Sequence, residues 1–149
     1  MEIYKIVLTS GLTITGGILV FALSQLIQRF FLEPVHEQAK AIGEVRFGLM
    51  YYASRYVNPG SGKLEDLSSV SDAVPRSASQ LHATTNAIHW YGLFDRLRLV
   101  PIRQNVDEAV GDLIRLSNSI HTGNGRENKQ DADHIRKLLE VRESRQCLP

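Results

Sequence analysis

The sequence predicts an all-α protein with one apolar N-terminal helix followed by a small helical bundle. Residues 6–28 run without a charged side chain, bounded by Lys5 and Arg29. Beyond them, apolar residues recur at helical spacing in four polar-faced segments, separated by breaks rich in proline and glycine. The chain does not alternate strand-like segments with helices, and no internal repeat stands out. The predicted organisation is a flank over 1–5, a transmembrane helix over 6–28, an interfacial linker over 29–33, a helical soluble domain over 34–143 and a tail over 144–149.

As a helix, residues 6–28 would rise about 35 Å, enough for a hydrocarbon core of roughly 30 Å. Lipid offers no hydrogen-bond partners, and a helix pairs its backbone within one segment. A cleaved signal sequence and a buried soluble helix are the alternatives. The apolar run exceeds the usual h-region, continues through Phe30, Phe31 and Leu32, and lacks a clean cleavage site. Lys5 and the terminal amine are the basic groups on the short side; Arg29, Lys40 and Arg46 follow on the long side. That bias places the N-terminus outside and the C-terminal domain in the cytoplasm. Phe30 and Phe31 suit the headgroup level.

Within the span, Thr9, Thr13 and Gly17 recur at every fourth position, with Gly16 beside them. Small residues allow close helix approach in lipid. The expected partners are therefore the bilayer and either another membrane protein or a second copy.

The first soluble helix is expected from Glu33-Pro34, with Val35, Ile42, Val45, Leu49, Tyr52 and Tyr56 as its apolar stripe. Residues 58–62, NPGSG, end it. Tyr51, Tyr52 and Tyr56 are expected in the core with their hydroxyls at its edge. The second helix is expected over 72–94. Asp72 would cap it, Pro75 would lie in its first turn, and Val74, Ala78, Leu81, Thr85, Ile88 and Gly92 would face inward. Trp90, large and unique, is expected to anchor the core.

A third helix opens at Pro101 and buries Ile102, Val106, Val110, Leu113, Leu116 and Ile120, leaving Asp107, Glu108 and Asp112 to solvent. A break at 122–125 precedes a short, polar, frayed helix over 128–143 with Ile135, Leu138 and Leu139 inward. Amphipathic faces of this kind exclude water only against one another, which makes a bundle.

Formal net charge is +1 with acidic and basic residues interspersed, so there is no strong nucleic-acid signal. The sole cysteine, Cys147, excludes an intramolecular disulfide and four-thiolate zinc sites. No cofactor is implied. GLTITGG lies inside the apolar run rather than between a strand and a soluble helix, and HExxH, GxSxG and CxxC are absent. Asp131 and His134 share a helical face but supply only two metal ligands. An ion path is not indicated, since the span carries no midplane charge.

Residues 115–121, RLSNSIH, resemble the R-x(4–6)-H motif of the HEPN family of helical ribonucleases. The resemblance covers seven residues, and residues 76–82 have the same spacing. It implies a metal-independent ribonuclease, often completed by a paired subunit. Arg115 would stabilise the scissile phosphate, His121 would transfer a proton, and Asn118 would orient substrate or His121. The other reading makes Arg115 a salt-bridged residue and His121 a helix C-cap near Gly123. The favoured function is a membrane-anchored interaction or accessory subunit without catalysis. The ribonuclease and a small membrane regulatory or sensory module are the alternatives.

Overall fold

A computed structural model describes residues 2–57, 64–119 and 124–140. All described regular structure is helical, in two compact units, Met1–Pro34 and Val35–Pro149. The expected break at 58–62, the start of the break at 122–125, Ile120 and the end of the last helix lie outside the described residues.

In the first unit, α1 spans Glu2–Ile27, and none of its residues is buried. Its 26 residues rise ~39 Å as an α-helix. This helix is long and apolar enough to cross a membrane. The Thr9 hydroxyl donates to the Lys5 carbonyl, Thr13 to Thr9, Thr15 to Gly11 and Ser24 to Val20. Each of these hydroxyls is thus satisfied within the helix.

Residues Gln28–Leu32 are π-helical, so the stretch expected as a linker is wound. The Glu33 amide donates to the Gln28 carbonyl five residues back. Pro34 follows at once, and a proline ring clashes with the carbonyl four residues before it in a regular α-helix. The wider π turn accommodates that conflict at Phe30 without ending the helix.

The second unit is built from α2 (Glu33–Tyr51), α3 (Ala53–Val57), α4 (Leu64–Ala87), α5 (Tyr91–Arg96), α6 (Arg103–Ser119) and α7 (Gly125–Leu138). α6 lies against both α4 and α7, and α3 against α7. The core joins Ile42, Val45 and Leu49 of α2 to Leu81 of α4, Val106, Leu113 and Leu116 of α6, and Ile135 of α7. They include members of the expected stripe of each of the four segments; Tyr52, Val110 and Leu138 pack on this core only partly buried, and Val35 and Ile102 are likewise partly buried. Ala109 and Ala132, both fully buried, let the helices approach between the larger side chains.

Several expectations are corrected. The first helix breaks at Tyr52, so Tyr51 projects into solvent and stacks on Phe47 instead of entering the core. Tyr56 stays buried and donates to the Leu49 carbonyl at 2.7 Å, which helps satisfy the interrupted helix end. The second helix begins at Leu64 rather than Asp72, with Pro75 inside it. Proline removes one amide donor, and a long helix packed on α6 tolerates that loss. The same helix ends at Ala87, not Phe94. The chain turns through residues 88–90, and this changes which side chains face inward. Tyr91 and Phe94 enter the core, while Trp90 and Gly92 are exposed.

Asp112, expected in solvent, is buried. The last helix is not a loosely held polar segment. Asn124 caps it by accepting from the Arg126 amide, and Asn128, Ala132 and Ile135 are buried along one face.

Leu81→Ala and Leu113→Ala should each lower unfolding free energy by about 2–5 kcal/mol in denaturant titrations, because both delete fully enclosed methyl groups. Leu97→Ala, at an exposed position, should change it by roughly 0.5 kcal/mol or less.

Candidate functional site

Three groups of side chains bear on function: the small face of α1, an ion-pair cluster between α6 and α7, and a buried polar network between α2, α4 and α5.

On α1, Thr9, Thr13, Gly16 and Gly17 are all exposed. A methyl group built on Gly16 or Gly17 would meet nothing within 4 Å. The threonine hydroxyls are bound to their own backbone, leaving methyl groups to make lateral contact. No other part of the described chain lies against Gly16 or Gly17 on this face.

On α6, the guanidinium of Arg115 grips Asp131 of α7 through two bonds, Nε to Oδ2 at 3.2 Å and Nη2 to Oδ1 at 2.8 Å. Nη2 also lies 3.0 Å from Asp112. The second Asp112 oxygen accepts from Nδ1 of His134 at 2.8 Å, and Nε2 of His134 is 4.0 Å from Glu108. The buried Asp112 carboxylate therefore joins an arginine of its own helix to a histidine of the next. Its burial is compensated by a hydrogen-bonding partner on each oxygen, Arg115 on one and His134 on the other. The Asp131 bond foremost, and the two carboxylate charges with it, raise the Arg115 pKa. Arg115 thus has an intramolecular ion-pair role. Asn118 is exposed on α6, and His121 lies outside the described residues. Asp131 and His134 turn to Arg115 and Asp112, respectively, rather than to one another's ligand position. Among the described residues, no group of three or more histidine, cysteine or acidic side chains is arranged to hold a metal.

The polar network was not foreseen from sequence. Gln38 of α2 is 1% exposed, and its amide donates to the Thr85 hydroxyl at 2.9 Å and to the Tyr91 hydroxyl at 3.1 Å. Tyr91 donates onward to the Pro101 carbonyl at 2.7 Å, and Thr85 to the Leu81 carbonyl at 2.7 Å. One glutamine therefore ties α2 to α4, α5 and the entrance of α6. The one available signal is position: Gln38 sits between Val35 and Ile42 on the buried stripe. Beside it, an open groove of about 710 Å³ is lined by Gln38, Ile42, Arg46, Leu99, Lys137 and Glu140. Arg46 donates across it to the Leu139 carbonyl at 3.2 Å.

No family model matches the sequence, and no curated protein or solved structure matches the chain.

Two outcomes follow from these clusters. Asp112→Ala should destabilise the bundle by about 1–3 kcal/mol in denaturant titrations, since it strips partners from His134 and Arg115; Arg115→Ala should cost less than 1–3 kcal/mol because water screens that exposed cation. Burial, the largest influence, raises the pKa values of Tyr56 and Tyr91 above the ordinary phenol value of 10.0. An unfolded phenol then ionises before the folded one. The stabilisation is complete below pH 10.0 and is lost as pH rises through the folded-state values. Tyr91→Phe should lower stability at neutral pH yet reduce its alkaline decline, as measured by unfolding titrations on both sides of pH 10.0.

Proposed function

We propose that the chain is a membrane-anchored helical interaction or accessory subunit of a membrane complex. Residues 6–28 cross the bilayer once, residues 29–33 lie at its interface and the helical domain serves as the interaction module. The observation that carries this reading is α1 itself. Beyond Lys5 it carries no charged side chain, none of its residues is buried, and the hydroxyls of Thr9, Thr13, Thr15 and Ser24 are satisfied within the helix. In water, so much exposed apolar surface would drive association or aggregation; in lipid it is solvated.

Arg29, Lys40 and Arg46 outnumber Lys5 across the span, which supports a cytoplasmic helical domain and an external N-terminus. Thr9, Thr13, Gly16 and Gly17 form the face for a second membrane helix, from another protein or another copy. Arg115 belongs to the framework of the domain, because its strong donors are engaged by Asp131 and Asp112.

Alkaline carbonate extraction should leave the full-length protein in the membrane pellet; release of uncleaved protein would sink the anchor. Ile14→Arg should impair insertion, at an apparent cost of ~3 kcal/mol. A C-terminal tag should resist protease in intact cells and be cut after permeabilisation. Gly17→Leu should weaken co-purification of the partner in mild detergent without releasing the chain from membranes. Purified protein should show no RNA cleavage that depends on Arg115 and His121. Cleavage abolished by either R115A or H121A, with the fold intact, would replace the accessory reading with the ribonuclease.

A further inference from the structure

The turn at residues 90–99 exposes an unusual combination of side chains. Trp90 is 59% exposed, Leu93 45%, Leu97 58% and Leu99 56%. Leu93 lies on α5, and Trp90 and Leu97 flank its two ends. Arg96 and Arg98 are exposed among them, and Asp95, the only carboxylate from 88 to 103, is partly buried. Apolar bulk interleaved with guanidinium groups is the composition of an interfacial membrane element. Indole rings favour the headgroup level, and arginines meet anionic headgroups there.

The backbone supplies an independent observation. α5 ends in a Schellman turn: the Leu99 amide donates to the Phe94 carbonyl at 3.0 Å and the Arg98 amide to the Asp95 carbonyl at 2.9 Å. Arg98 occupies the left-handed position of that turn, with φ of 59°, where glycine is the usual residue. It is the one non-glycine residue with positive φ among those described. A long cation held in a strained conformation at the tip of an apolar turn points to work done by its charge.

We propose that the turn at residues 90–99 is a second membrane contact, which seats Trp90, Leu93, Leu97 and Leu99 at the headgroup–acyl boundary of an anionic bilayer with Arg96 and Arg98 on lipid phosphates. This rests on the membrane-anchor reading. An anchored domain meets the surface at high effective concentration, so a weak interfacial element suffices. The cytoplasmic leaflet, where that reading places the domain, is the anionic one. The guanidinium groups favour this occupant over a purely apolar protein surface, which would leave them without anionic partners.

Trp90 is the sole tryptophan, so the intact chain carries its own probe. Full-length protein is reconstituted into vesicles of phosphatidylcholine alone or mixed with phosphatidylglycerol, with and without brominated acyl chains. In the anionic vesicles Trp90 emission should shift to the blue and be quenched by the bromines, and both effects should be smaller in neutral vesicles. The double substitution R96E/R98E should return the anionic signal to the neutral level or below. Arg98→Gly should raise the midpoint of thermal unfolding, by relieving strain, yet weaken quenching; that opposition separates a lipid contact from a structural role.

Water-like emission without bromine quenching in both vesicle types would overturn the proposal. So would a blue shift that bromines do not quench and that grows with protein-to-lipid ratio, since this would assign the turn to a protein partner or a second copy. Carbonate extraction of the same vesicles keeps the two readings apart. Protein that stays with the lipid but shows unquenched Trp90 loses only the second contact, whereas release by alkali removes the anchor as well.

Discussion

The helical domain depends on one buried amide. Gln38 reaches Thr85 and Tyr91 at the junction where α4 stops and α5 starts. A buried amide left without partners would be costly, so these bonds discriminate sharply between the native arrangement and shifted ones. With Gln38 in place, Tyr91 is drawn inward and its hydroxyl is handed to the Pro101 carbonyl. The turn between α4 and α5 is then set, and Trp90 is left outside. A polar contact in the core thereby determines which aromatic residue reaches the surface.

The first unit obeys the same rule by a different route. In the bundle, polar groups find partners on neighbouring helices. In α1 the hydroxyls of Thr9, Thr13, Thr15 and Ser24 find them four residues back on the same helix. The π-helical turn before Pro34 likewise keeps the backbone wound where a proline would otherwise disrupt it. Each part of the chain satisfies its hydrogen bonds with the partners its surroundings allow.

The helical class and most inward stripes were legible because leucine, valine and isoleucine at helical spacing report burial directly. Val45, Leu49, Leu81, Leu113, Leu116 and Ile135 are the clearest cases. The misreadings came from residues whose role depends on partners distant in sequence. Asp112 looks like a solvent carboxylate until α7 brings His134 to it, and Gln38 looks like an imperfection in a stripe until Thr85 and Tyr91 meet it. Trp90 differs for another reason: helical periodicity does not continue through residues 88–90, where the helix ends. Pro75 has the character of a start signal, yet the helix packed on α6 runs past it. The candidate association face of α1 could be written from residue size alone, whereas the Arg115 ion pairs needed the fold.

Asn128 has a consequence for how this domain tolerates change. Its amide nitrogen donates to the Tyr56 carbonyl at the end of α3, and its amide oxygen accepts from Ser119 at the end of α6. A single side chain on α7 thus clasps the last turns of two other helices. The positions of those helix ends are set by this clasp together with core packing. A substitution at this one position therefore reaches two helix ends at once, leaving the Tyr56 carbonyl and the Ser119 hydroxyl each short of one partner.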